Sequence, residues 1–116
     1  MDAVITTANV PGGRGPRLVA AGAVAGRRPG SAVVDLAADS GGNVEGVVAG
    51  SVVNVPTADQ TGSVQLWGGA NVPSQMPGPA SRLYAQNVLN IVQLMTRDNV
   101  FDPDLSDEIV AGMVVT

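Results

Sequence analysis

Ser31-Ala32-Val33-Val34-Asp35-Leu36-Ala37-Ala38-Asp39-Ser40-Gly41-Gly42-Asn43 runs from a small apolar segment into two carboxylates and a double glycine. An apolar run bounded by turn signals predicts a strand over Ala32 to Ala37, covered on both faces as in a parallel sheet. Asp35 falls to the strand and its supports, Asp39 to the loop that leaves it. Before this stretch, Ala3-Val4-Ile5-Thr6-Thr7-Ala8 is β-branched and apolar and predicts another buried strand. Two prolines and three glycines make Asn9 to Pro16 a loop. Arg17 to Arg27 predicts a helix carrying Leu18, Val19, Ala21 and Val24, weakened by Gly22 and stopped by Pro29-Gly30. Strand, helix and strand in this order form a βαβ unit, which implies parallel pairing and a right-handed crossover.

Past the stretch, Ser51 to Val55 predicts a short strand and Val64 to Trp67 a clearer one, which ends at Gly68-Gly69-Ala70-Asn71-Val72-Pro73. The proline-rich run to Pro79 reads as a connection. From Ala80 a long amphipathic helix is expected. Tyr84, Val88, Ile91, Val92 and Met95 recur at helical spacing, with Arg82, Gln86, Asn90, Gln93 and Arg97 on the other side. The acidic segment Phe101 to Glu108 then gives way to an apolar tail, Ile109 to Thr116, which calls for a partner strand or surface. No internal repeat is present.

Composition narrows the function classes. The chain has 116 residues, 45% of them hydrophobic, so a packed core is within reach. It holds one Trp, one Tyr and one Phe, so that core must come from Val, Ala, Leu and Ile. A net charge of −4 argues against nucleic acid or an anionic membrane surface as partner. Neither cysteine nor histidine occurs, which removes disulfides, thiol chemistry, zinc sites and histidine-based triads. No apolar run approaches the ~20 residues of a membrane span, and the start lacks a signal-peptide pattern, so a soluble, cytoplasmic chain is expected.

Most local motifs have ordinary explanations. Gly12-Gly13-Arg14-Gly15 lacks both the dinucleotide spacing and a Gly-Lys-Ser/Thr, and reads as a strand-to-helix loop. In Asp102-Pro103-Asp104-Leu105-Ser106-Asp107-Glu108, Asp107 stands where a calcium loop needs glycine and Met113 where it needs glutamate, which leaves a solvated acidic turn. Asp35, Asp39 and Glu45 could offer oxygens to magnesium, but a capped strand end is the better reading, and no metal is expected. Nothing fixes two carboxylates at a hydrolase separation. Position says more. In an open parallel sheet ligands sit at the carboxyl ends of strands. Asn9-Val10-Pro11-Gly12, Asp39-Ser40-Gly41-Gly42 and Asn71-Val72-Pro73 all leave such ends, which implies one shared ligand edge.

The same segments carry a resemblance. Val4-Ile5-Thr6-Thr7-Ala8 with Val10-Pro11-Gly12, Pro16-Arg17-Leu18-Val19, Pro29-Gly30-Ser31, Val34-Asp35-Leu36-Ala37, Gly41-Gly42-Asn43, Asn71-Val72-Pro73-Ser74, Leu83-Tyr84 and Val110-Ala111-Gly112 stand in an ordered series. With them the chain resembles the alpha subunits of proton-translocating NAD(P) transhydrogenases, in the family shared with alanine dehydrogenase. The resemblance implies an α/β fold: the C-terminal half of a Rossmann-type parallel sheet, then the long amphipathic helix and the apolar tail. Residues 1–79 would be a partial NAD(H)-binding domain without its glycine-rich first βαβ unit, and 80–116 the helix and return segment of a discontinuous partner domain. The implied cofactor is NAD. Ala8, Asn9 and Val10 would line its adenosine end, Leu36 and Asp39 the pocket, and Gly69, Asn71 and Val72 the nicotinamide end.

The implied activity is hydride transfer between NAD(H) and NADP(H). The implied partners are an NADP(H)-binding domain and membrane subunits that couple transfer to proton translocation, with the chain peripheral to the membrane. The dinucleotide fingerprint and its ribose-binding acid are absent from the sequence, so a fragment inactive alone is expected. At position 39 transhydrogenases usually carry Gln or Glu, and alanine dehydrogenases an Asp that takes part in catalysis. Asn9 replaces a usual apolar residue. An alanine dehydrogenase-like oxidoreductase fragment, or a non-enzymatic assembly module such as a homodimer, therefore stays open.

Overall fold

A computed structural model describes residues 2–115. The chain divides into two compact units, Met1–Val72 and Pro73–Thr116. The first holds a four-stranded sheet in the order β1-β2-β4-β3, made of β1 (Ala3–Thr6), β2 (Ala32–Asp35), β3 (Val52–Pro56) and β4 (Ser63–Gly68), with a short helix α1 (Ala21–Ala25) between β1 and β2. β1 pairs parallel with β2, and β2 parallel with β4. The expected βαβ pairing is present.

Several expectations are corrected. The sheet is not wholly parallel, because β3 runs antiparallel to β4. Only residues 57–62 separate the two strands, which is enough for a turn and far too little for a crossover. Thr57 closes that turn, its hydroxyl donating to the Gly62 carbonyl at 3.1 Å and accepting from the Gly62 N–H at 3.2 Å.

The helix is shorter than Arg17 to Arg27. Leu18 and Val19 stay extended, since both their N–H groups donate to the Asn43 carbonyl, at 2.8 and 3.0 Å, and Val19 bridges to Val44. What caps α1 is Glu45, whose Oε2 accepts from the Ala21 N–H at 2.9 Å.

Nor are both sheet faces covered. Val24 of α1 packs with Val33, Val44, Val64 and Leu66 in one aliphatic core, as the shortage of aromatics required. Strand alternation sends the neighbours of these residues to the opposite face. There Ile5, Val34, Trp67 and Val52 stand in one register row across all four strands, with Ile5 64% exposed and Trp67 47% exposed. Leu66 and Val64 are fully buried and Gln65 between them is exposed. The sheet in this chain is one-sided.

The second unit is built on the long helix. The proline-rich run expected as a connection is helical: α2 (Val72–Gln75) precedes α3 (Pro77–Leu94). Pro77 and Pro79 fall in the first turn of α3, where no intrahelical N–H bond is lost. α3 carries Tyr84, Val88, Ile91 and Val92 but ends at Leu94, leaving Met95 and Arg97 beyond it; it buries none of its residues, and Tyr84 is 73% exposed. A hairpin follows, β5 (Thr96–Arg97) against β6 (Val100–Phe101), turned by Asp98 and Asn99 at φ 48° and 62°. The expected apolar tail is instead the helix α4 (Glu108–Met113), capped by Asp107, whose Oδ1 accepts from the N–H groups of Ile109 and Val110. Val110 is buried, and Thr116 lies outside the described residues. Among the described residues no helix is long and apolar enough to cross a membrane.

Candidate functional site

Parallel register brings three strand ends to one edge. Thr6 stands beside Asp35, and Asp35 beside Gly68. The ladder continues one residue further, with the Leu36 N–H donating to the Thr6 carbonyl at 2.9 Å and the Gly69 N–H to the Asp35 carbonyl at 2.8 Å. The loops after β1, β2 and β4 therefore leave side by side.

Asp35 shapes the middle loop. It is fully buried, and its carboxylate takes three backbone donors: Ala37 on Oδ1 at 2.9 Å, and Asn43 and Val44 on Oδ2 at 2.6 and 3.0 Å. Residues 36–43 are thereby curled back onto the strand that carries them. The glycine pair permits the curl. Gly42 has φ +76°, and a Cβ there would stand 2.5 Å from Val47 Cγ1 and 3.2 Å from Asp35 Oδ2. No other residue would let the chain pass over the carboxylate this closely.

Asn43 ties the middle loop to the first. Its Nδ2 donates to the carbonyls of Ala8 and Pro16, both at 2.8 Å, from a fully buried position, while its Oδ1 is buried without a partner. The Gly15 N–H adds a bond to the Ser40 carbonyl at 3.1 Å. Asp39 ties the middle loop to the third: its Oδ2 accepts the Asn71 N–H at 2.7 Å. Asn71 has φ +44°, in the left-handed region. The eight residues named from the sequence fall at these three strand ends and in one compact unit: Ala8, Asn9 and Val10 in the first loop, Leu36 and Asp39 in the second, Gly69 and Asn71 in the third, with Val72 opening α2.

Three contributors were not assigned from sequence. Asn43 is the junction of the first two loops, and its only signal was its place after two glycines. Arg14 lies over the middle loop, so close that a Cβ on Gly41 would meet its Cγ at 2.5 Å. Glu45 serves structure, through the α1 cap and a 3.4 Å ion pair with Arg17. Asp35 and Glu45 both accept from backbone N–H groups, and among the described residues no three of Asp, Glu, His and Cys gather as metal ligands. What the edge offers is chemistry for recognition: backbone polar groups, small residues, and the exposed apolar side chains of Val10 (47%) and Leu36 (44%).

Strands in parallel register that deliver three loops to one edge, the middle one tied to both others, define an α/β domain with a candidate ligand edge. The comparisons make this particular. Residues 1–116 match the family model described as "Alanine dehydrogenase/PNT, C-terminal domain", and the chain belongs to that family. It is 38% identical to the NAD(P) transhydrogenase subunit alpha of Haemophilus influenzae, over 99% of this chain and 22% of that protein. With the NAD(P) transhydrogenase subunit alpha of Cereibacter sphaeroides it shares 34% identity, over 100% of this chain and 22% of the relative. The crystal structure of transhydrogenase from Sinorhizobium meliloti superposes with a TM-score of 0.71 at 40% identity, covering 95% of this chain and 29% of that one. The chain thus spans between a fifth and a third of the length of these relatives.

Proposed function

We propose that this chain is the NAD(H)-binding part of an NAD(P) transhydrogenase alpha subunit. The observation that carries the reading is the cross-tied edge, where loops 8–10, 36–39 and 69–72 are held together by Asp35, Asn43 and Asp39. Residues 1–79 are the later portion of a Rossmann-type domain, and 80–116 return toward a partner domain. The residues present fit a nicotinamide dinucleotide: Val10 and Leu36 offer apolar flanks, and the loops offer backbone at close approach. When bound, that group would give a hydride to NADP+ as NADH, or take one from NADPH as NAD+. This chain's own residues do three things. Ala8, Asn9 and Val10 border the adenosine end; Leu36 and Asp39 line the middle; Gly69, Asn71 and Val72 border the nicotinamide end.

The pyrophosphate lacks a Gly-x-Gly-x-x-Gly turn in these 116 residues, so affinity is weak and the chain inactive alone. In the complete enzyme an NADP(H)-binding domain accepts or donates the hydride, membrane subunits couple the transfer to proton translocation, and this part stays peripheral on the cytoplasmic side. The uncovered row Ile5, Val34, Trp67 and Val52 supports a role within a larger assembly. Energy transfer from Trp67, the one tryptophan, to reduced nicotinamide tests the reading. NADH should saturate the signal with a Kd of about 1 mM or somewhat below, corresponding to roughly 4 kcal/mol. No saturable transfer, or equal transfer with NADPH, refutes it.

A further inference from the structure

We infer that Asp39 is a positioning residue, acting through an oxygen that holds the Asn71 loop and not through a proton that it gives or takes. The inference rests on the nucleotide reading of this edge. Asp39 sits in the single 3-10 turn Ala38–Ser40 that follows β2, and its Oδ2 reaches across to accept the Asn71 N–H at 2.7 Å, 32 residues away in sequence.

That donor belongs to the residue at φ +44°, so the bond fixes the point at which the third loop reverses. The loop has little other latitude. The Gly69 N–H is held by the Asp35 carbonyl at 2.8 Å, and a Cβ on Gly69 would stand 3.0 Å from Val72 Cγ2, 3.2 Å from the Asp35 carbonyl oxygen and 3.3 Å from Leu36 Cα. One end of the third loop is thus locked to β2 by its backbone, and Asp39 locks the next turn. Together they hold the third loop beside the end of the second strand.

Because the acceptor is one oxygen and the donor is backbone, the clamp requires an oxygen of the right reach and no ionisable proton. A side-chain amide at position 39 presents the same oxygen. A residue that transferred a proton would fail equally as amide or as methyl.

The test compares the 116-residue chain with Asp39→Asn and Asp39→Ala, two changes at an exposed position that leave the core untouched. Hydrogen exchange at the Asn71 amide reads the clamp, and NADH titration by Trp67 energy transfer reads its consequence. In Asp39→Ala the amide should exchange about tenfold faster and NADH bind about tenfold more weakly, whereas Asp39→Asn should stay within about threefold of the parent in both. Equal losses in the two variants overturn the inference, as does an Asn71 amide unaffected by Asp39→Ala. Faster exchange with unchanged NADH affinity leaves the bond in place and refutes its positioning role. If the parent chain shows no NADH response, the nucleotide reading fails, and the amide measurement alone still decides whether Asp39 clamps the loop.

Discussion

Replacing Asp35 should separate acceptor geometry from mere polarity in the core. Its carboxylate satisfies three backbone N–H groups at a position without solvent access. In Asp35→Ala all three donors lose their acceptor. A buried unsatisfied donor costs about 1–3 kcal/mol, so the loss is on the order of 3–6 kcal/mol once some relaxation toward water is allowed. Asp35→Asn keeps the shape but exchanges one acceptor oxygen for a donor. Turning the new NH2 toward Ala37 sacrifices one bond and preserves the two from Asn43 and Val44; the opposite orientation sacrifices two. The amide should take the first, at about 1–3 kcal/mol. Both costs are large beside the roughly 5–15 kcal/mol by which small domains are stable. Urea unfolding followed by Trp67 fluorescence measures them directly, since Trp67 lies on β4 beside Val34 of β2. The alanine variant should be the weaker by at least about 1.5 kcal/mol. Equal stability of the two variants, or a loss below about 1 kcal/mol in Asp35→Ala, would sink the three-donor account.

Two glycines should respond in opposite directions. Gly22 lies inside α1 with open space around its absent Cβ, so Gly22→Ala should raise stability by about 0.5–1 kcal/mol in urea unfolding. A Cβ on Gly68 would collide with the Val48 carbonyl, so Gly68→Ala should lower the midpoint clearly, by about 1–3 kcal/mol or more. Two carboxylates set a pH response. Hydrogen bonds from Thr57 and then Thr61 hold Asp59 below its ordinary 3.8, and Ser106, then Arg97, does the same for Asp104. A depressed folded pKa stabilises fully above the unfolded value, and that contribution is lost as pH falls through the folded one. The amides of Thr61 and Ser106 should therefore each lose protection as the pH falls below 3.8, and Asp59→Asn should abolish the response at Thr61 alone.

Local chemistry was legible in the sequence; long-range ties were not. β1, β2 and β4 follow from β-branched apolar runs, and α3 from the spacing of Tyr84, Val88, Ile91 and Val92. The edge followed too, because parallel pairing places strand ends together wherever the strands themselves are right. What failed depended on partners distant in the chain. Nothing near Leu18 and Val19 shows that the Asn43 carbonyl draws them out of the helix, and nothing near Ala20 shows that Glu45 caps what is left. The direction of β3 was contained in the six-residue interval before β4, a spacing that composition alone does not expose. Pro73 to Pro79 misled for a different reason, since proline breaks a helix only beyond its first turn.

Burial gives the three ties of the edge unequal strength. Asp35 and Asn43 are both closed to solvent, so water cannot compete for their bonds, and opening either strands buried polar groups. Asp39 and Asn71 are exposed, so their bond contributes only the net worth of an ordinary hydrogen bond, on the order of 1 kcal/mol. The first and second loops are therefore held as a fixed frame, and the third is held to it by the one of these ties that water can reach. On the proposed reading the fixed frame meets the adenosine end, where recognition needs a constant shape. On the same reading the third loop meets the nicotinamide end, where its position depends in part on the solvent-reached tie from Asp39. Movement of the third loop need not loosen the sheet, because the Gly69 N–H bond to the Asp35 carbonyl holds the strand end from which that loop leaves.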